Sequence, residues 1–158
     1  MSVNEKSQTT SDRRRIQKWT SELRPLLSIV KSTSAAPDEV DLDLTMQPVV
    51  DGYDIGFQSS ASDGIRLRWS YLRSLASVST EGQGSHPGLL ILDEPAQQGI
   101  EADSVVTFLD ILASMSTSTQ MLITTSEPPA RLADWLGDTE FQLIDLGDER
   151  LLKLLEAE

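Results

Sequence analysis

The stretch GLLILDEPAQQGI, residues 88–100, decides how the chain is read. Leu89 to Leu92 run without interruption into Asp93 and Glu94, and Pro95 follows. LLILD shows no polar alternation, so it reads as a strand buried on both faces, as central parallel strands are. In an open α/β sheet, ligands bind outside the carboxyl ends of the strands. Two carboxylates at that edge have two readings. In one, Asp93 is a Mg²⁺ ligand and Glu94 a general base, because Mg²⁺ takes hard oxygen ligands and needs only one or two carboxylates beside phosphate oxygens. In the other, they are strand-end acids forming surface salt bridges.

The flanking sequence supplies the rest of an α/β rhythm. Val105, Phe108, Leu109 and Leu112 mark a helix, and QMLIT, residues 120–124, is a second buried strand. Pro128 and Pro129 suit the first turn of a short helix ending near Gly137. Phe141, Leu143 and Ile144 begin a third strand, and Gly147-Asp148 turns the chain into LLKLL. Upstream, SSASDGIR, residues 59–66, opens a helix capped by Ser62 or Asp63, with Ile65, Trp69, Leu72 and Ala76 on one face. Val40, Leu42, Leu44 and Met46 alternate with polar residues, and Tyr53, Ile55 and Phe57 do so after an Asp51-Gly52 turn. Residues 40–46 and 53–57 are therefore expected to pair antiparallel. The fold class is α/β: a mostly parallel sheet with flanking helices and an antiparallel hairpin near the start.

Residues 1–10 are polar and expected to lack order. Over residues 11–32, Ile16, Trp19, Leu23, Leu26 and Val30 form a heptad stripe that Pro25 interrupts. That is an amphipathic helix docked on its own domain, or the last turns of a coiled coil. The main body is expected to span 38–158, a single domain in a chain of 158 residues.

Composition narrows the function classes. Thirteen basic against twenty-five acidic residues leave a net charge of −12, which repels nucleic acid. Arg13, Arg14 and Arg15 form the one small basic cluster, so contact with DNA is expected only indirectly, through partners. The absence of cysteine excludes disulfides and thiolate metal sites, and the single His86 excludes a multi-histidine site. No apolar stretch is long enough to cross a membrane and the N-terminus has no signal-peptide core, so a soluble, cytoplasmic protein without membrane contact is expected. At the start of the SSASDG helix, Ser62 and Gly64 either serve as ordinary helix-start residues or bring backbone N–H groups toward an anion.

Taken in order, these segments resemble the C-terminal lobe of an ATP-binding-cassette ATPase head of the SMC and double-strand-break-repair type, over about residues 40–155. SSASDG matches the signature motif, LLILDEP the Walker B strand, PAQQGI the D-loop and LITTSE the switch strand. The resemblance implies ATP and Mg²⁺ as cofactors. By that resemblance, Ser62 and Gly64 would contact the γ-phosphate of an ATP held by an opposing head, Asp93 would bind Mg²⁺ through water and Glu94 would activate the attacking water. It would likewise set Gln97 and Gln98 between heads and Thr125 or Ser126 at the switch histidine position. Three departures bear on hydrolysis rate more than on ATP binding: Asp63 replaces a glycine near the expected phosphates, the D-loop aspartate is missing, and a hydroxyl residue replaces the histidine. The largest departure is the absence of any G-x-x-x-x-G-K-[ST] phosphate cradle; GQGSHPG, residues 82–88, has no lysine and reads as a loop. The expectation is a half-head active only with a P-loop lobe from another chain, in a head-to-head dimer acting in DNA repair or defence. Its rivals are a non-hydrolysing regulatory half-head and a structural interaction module.

Overall fold

The computed structural model describes residues 3–56, 59–80, 85–97, 99–115 and 119–147. It is an α/β molecule with two separate small sheets among the described residues. Helix α1 (Val3–Ile29) leads to a one-turn 3-10 helix (Pro37–Glu39) and to three short antiparallel strands, β1 (Asp41–Leu42), β2 (Pro48–Val50) and β3 (Tyr53–Asp54). After these come α2 (Ala61–Val78), β4 (Leu89–Asp93), α3 (Ala102–Ala113), β5 (Gln120–Thr124) and α4 (Pro129–Leu136). Strands β4 and β5 pair in parallel, with Leu90 opposite Met121, Leu92 opposite Ile123 and Asp93 opposite Thr124. The intervening α3 is the crossover that a parallel pair requires.

Helix α1 runs through the polar segment up to residue 10 that composition left without structure. Pro25 lies inside it and removes one helical N–H without ending the helix. Ile16, Trp19, Leu23, Leu26 and Val30, the heptad stripe, are all buried. Most of them pack with Val40, Leu42, Ile55, Leu67 and Val78, so this helix face is covered by the body of the same domain. Trp19 stacks at a tilt on Tyr71, with ring centroids 4.6 Å apart, and its indole N–H donates to the Ser74 hydroxyl at 2.8 Å.

A second core lies beneath β4 and β5. Leu90 and Leu92 meet Trp69 and Ala76 of α2 and Val105, Phe108, Leu109 and Leu112 of α3. The α2 and α3 faces foreseen from spacing are the ones that pack, with Ile65 and Leu72 at the margin of the same core. Trp69 and Phe108 stack flat, their centroids 4.3 Å apart.

Four expectations need correction. Strands β1 and β3 do not pair with each other: β2 lies between them, with Leu42 opposite Pro48 and Val49 opposite Asp54. Asp51 and Gly52 both have positive φ (52° and 81°), the two-residue turn that joins immediate neighbours, β2 to β3. The Asp43 carboxylate meanwhile accepts the N–H groups of Thr45 and Gln47 at 2.8 and 2.9 Å, folding 43–47 into a loop and leaving Leu44 and Met46 exposed. Helix α2 is capped by Ser60 rather than by Ser62 or Asp63, its hydroxyl accepting the Asp63 N–H. The third strand at 141–144 does not form among the described residues; Phe141, Leu143, Ile144 and Leu146 lie exposed in irregular chain. LLKLL lies outside the described residues.

The fourth correction matters most for function. Strand β4 is buried on one face only: Leu90 and Leu92 are 3% and 6% exposed, whereas Leu89 and Ile91 are 40% and 58% exposed. Leu122 of β5 is exposed beside them. The helices α2 and α3 cover one side of the pair, and no described element covers the other. An unbroken apolar run marks a strand meant for burial on both faces. Here one of those faces is bare.

Candidate functional site

Residues at odd positions of β4 point to the bare face, so Leu89, Ile91 and Asp93 share it, in register with Gln120, Leu122 and Thr124. The row ends at its carboxyl edge in two polar side chains. There the Thr124 hydroxyl donates to the Asp93 carboxylate. One step further, the Glu94 N–H donates to the Thr124 carbonyl at 2.9 Å. Thr124 thus holds both acidic residues, one by its side chain and one by its backbone.

Glu94 has φ +45°, in the left-handed region that costs an ordinary side chain about 1–2 kcal/mol. The twist ends the strand and starts a turn in which the Gln97 N–H returns to the Glu94 carbonyl at 3.2 Å. Pro95 is buried, Ala96 packs on the core, and Ile100 is a buried member of it. These apolar anchors hold the loop down and leave Glu94 half-buried at its rim and Asp93 exposed. Such strain in a non-glycine residue beside a strand-end carboxylate is the kind of feature that clusters at functional sites.

The other sequence-derived candidates lie nearby or apart. Thr125 is half-buried and its hydroxyl accepts the Glu127 N–H at 3.1 Å, which shapes the turn after β5; Ser126 is exposed. Gln97 is exposed, and Gln98 lies outside the described residues. Ser62 and Gly64 occupy the first turn of α2, where the Ser62 hydroxyl is 3.3 Å from that of Ser60. A Cβ on Gly64 would meet nothing within 4 Å, so packing does not demand glycine and the turn is open to an incoming group. No hydrogen bond or ion pair among the described residues joins Ser62 or Gly64 to Asp93 or Glu94.

Asp63 corrects an expectation. Its carboxylate is not a free acid at the helix start; it is 1% exposed and turned toward the segment after α1. It accepts the Thr33 N–H at 2.9 Å, the Thr33 hydroxyl at 3.3 Å and the Ser34 N–H. Burial pushes its carboxyl up, but the bonds from Ser34 and Thr33 outweigh this and hold it below the usual carboxylate range. Arg66, one turn on, places its guanidinium 3.6 Å from Asp63 and donates to the Ser104 hydroxyl at 3.2 Å. Asp63 and Arg66 therefore tie α2 to the end of α1 and to the start of α3.

Two site features were missed in the sequence. Thr124 reads there as the last residue of an apolar strand, and only cross-strand register places it against Asp93. Asp63 reads as a helix-start acid, and its partners lie thirty residues away.

The donor set can be weighed against a metal. Among the described residues no group of three or more acidic or histidine side chains converges. Asp93 and Glu94 alone are too few for a protein-only Mg²⁺ cage, but they match the one or two carboxylates that suffice when phosphates supply the remaining ligands. Two carboxylates therefore leave most of a Mg²⁺ coordination sphere to ligands from outside the chain. Among the described residues no helix is long and apolar enough to cross a membrane. Comparison with known proteins brings out no match: no family model, no curated protein and no solved structure is similar to this chain.

Proposed function

We propose that the chain is the C-terminal half of an ATPase head of the SMC-like type, completed by a P-loop-bearing lobe from another chain. The observation that carries this reading is the bare apolar face of β4 and β5, which ends in the Asp93–Thr124 pair. A carboxylate at the edge of an uncovered apolar layer sits where a second layer would bring its own groups. The chain has no phosphate cradle of its own.

In this reading, Asp93 would hold Mg²⁺ through water, and a bound metal would supply positive charge beside the phosphates of ATP. Glu94, next to it, accepts a proton from the attacking water. The open first turn of α2 offers Ser62 and Gly64 to the γ-phosphate of a nucleotide bound by an opposing head, in a head-to-head dimer. Gln97 and Gln98 lie at that junction, and Thr125 or Ser126 contacts the nucleotide at the switch position. Asp63 does not repel the phosphates, because its charge is spent on Thr33, Ser34 and Arg66. DNA is reached only through partners, in repair or defence, a step that rests on the analogy alone.

The test is phosphate release from Mg·ATP by the chain alone, and by its complex with the P-loop-bearing chain that co-purifies with it. Turnover is expected only in the complex and should fall about 10²–10⁴-fold on Glu94→Gln. Turnover by the isolated chain, or none in any complex, overturns the reading.

A further inference from the structure

We propose that Thr124 is a positioning residue that sets the geometry of both acids at the end of β4; the inference rests on the half-head reading above. The two strands meet at this point with Asp93 directly opposite Thr124. The threonine hydroxyl donates to Asp93 Oδ1, which selects one side-chain rotamer and leaves Oδ2 without a partner among the described residues. The threonine carbonyl accepts the Glu94 N–H at 2.9 Å, while Glu94 sits at φ +45°. That bond fixes the strained turn that carries the general base. A hydroxyl that donates to a carboxylate leaves the other oxygen free to accept from a metal-bound water, and it fixes the direction from which that water is held. The neighbours Thr125 and Ser126 do not reach either acid: Thr125 is engaged with Glu127, and Ser126 makes no bond to them among the described residues. The strand-end hydroxyl that matters for the carboxylates is therefore the one pointing to the bare face, one residue before the pair that the sequence singled out.

Two variants separate this role from plain strand packing. Thr124→Val keeps the β-branched shape and the backbone carbonyl but removes the donor, and Thr124→Ser restores it. The first readout is the Asp93 side-chain rotamer in the isolated chain, from three-bond couplings of its carboxyl carbon to the backbone nitrogen and carbonyl carbon. A single rotamer is expected in the wild type and in Thr124→Ser, with averaged couplings in Thr124→Val. The second is turnover in the complex with the P-loop-bearing chain. There Thr124→Val should lower kcat and raise the Mg²⁺ requirement by about 10–100-fold, leave KM for ATP unchanged, and be rescued by serine. Averaged couplings in the wild type, or a locked rotamer in Thr124→Val, overturn the clamp whatever the ATPase does. Equal kcat and equal Mg²⁺ dependence in wild type and Thr124→Val overturn its role in the reaction. A complex in which even the wild type turns nothing over overturns the half-head reading, and the couplings still decide the clamp.

Discussion

Replacing Asp63 with asparagine should be damaging although the two side chains are nearly the same size. The side chain is 1% exposed, so water cannot replace what is lost. The carboxylate accepts the Thr33 N–H at 2.9 Å, the Thr33 hydroxyl and the Ser34 N–H, and it faces the Arg66 guanidinium at 3.6 Å. Asparagine keeps one acceptor oxygen and turns a donor NH₂ toward other donors. A hydrogen bond to a charged group contributes about 1.5–3 kcal/mol, and breaking a buried ion pair costs about 3–5 kcal/mol. Arg66 retains its bond to Ser104, and one acceptor survives, so the lower part of that range applies, about 3 kcal/mol. Urea denaturation at pH 7, comparing midpoints at constant m, measures it. The pH dependence gives a second check. The folded pKa of Asp63 lies below the usual carboxylate range, so its contribution is fully present above that range and is lost as pH falls through the folded pKa. The gap between wild type and Asp63→Asn should therefore be constant from pH 7 to about pH 5 and narrow below about pH 4. A penalty under about 1 kcal/mol at pH 7, or a gap that widens on acidification, would refute the latch.

Three further outcomes test the rest of the structure. Phe108→Ala removes a side chain that is 2% exposed and stacked on Trp69, and should cost about 3–5 kcal/mol in urea denaturation. Ile91→Lys, on the bare face, should change stability by less than about 1 kcal/mol while reducing self-association in light scattering; a loss above about 2 kcal/mol would mean that the face is covered after all. Glu94→Gly relieves the positive φ and should raise the stability of the isolated chain by about 0.5–1 kcal/mol in the same denaturation assay, even as it removes the proposed base.

Much of the local structure is written in neighbouring residues. The buried faces of α2 and α3 follow from 3.6-residue spacing, because Trp69, Ala76, Val105, Phe108 and Leu112 have nowhere else to point once the helices form. Asp51-Gly52 announces its turn because both positions need positive φ, and Pro129 with Gly137 bounds α4 for similar reasons of backbone geometry. The apolar runs of β4 and β5 and the acids that end β4 were legible in the same way. Ser60 as the α2 cap was not, since several adjacent hydroxyl and acidic residues can each begin a helix and sequence alone does not rank them.

What only the tertiary structure decided concerns partners far apart in the chain. Pairing order in the first sheet depends on how the Asp43 loop folds back, so β2 takes the place between strands expected to meet. Asp63 became a latch because the end of α1 packs beside the start of α2, and Thr124 became the holder of Asp93 because parallel register sets them opposite one another. Above all, the strand that its own composition marks for burial on both faces is covered on one. A sequence records how much apolar surface a strand carries, whereas covering that surface is a property of layers, and a layer can belong to another chain.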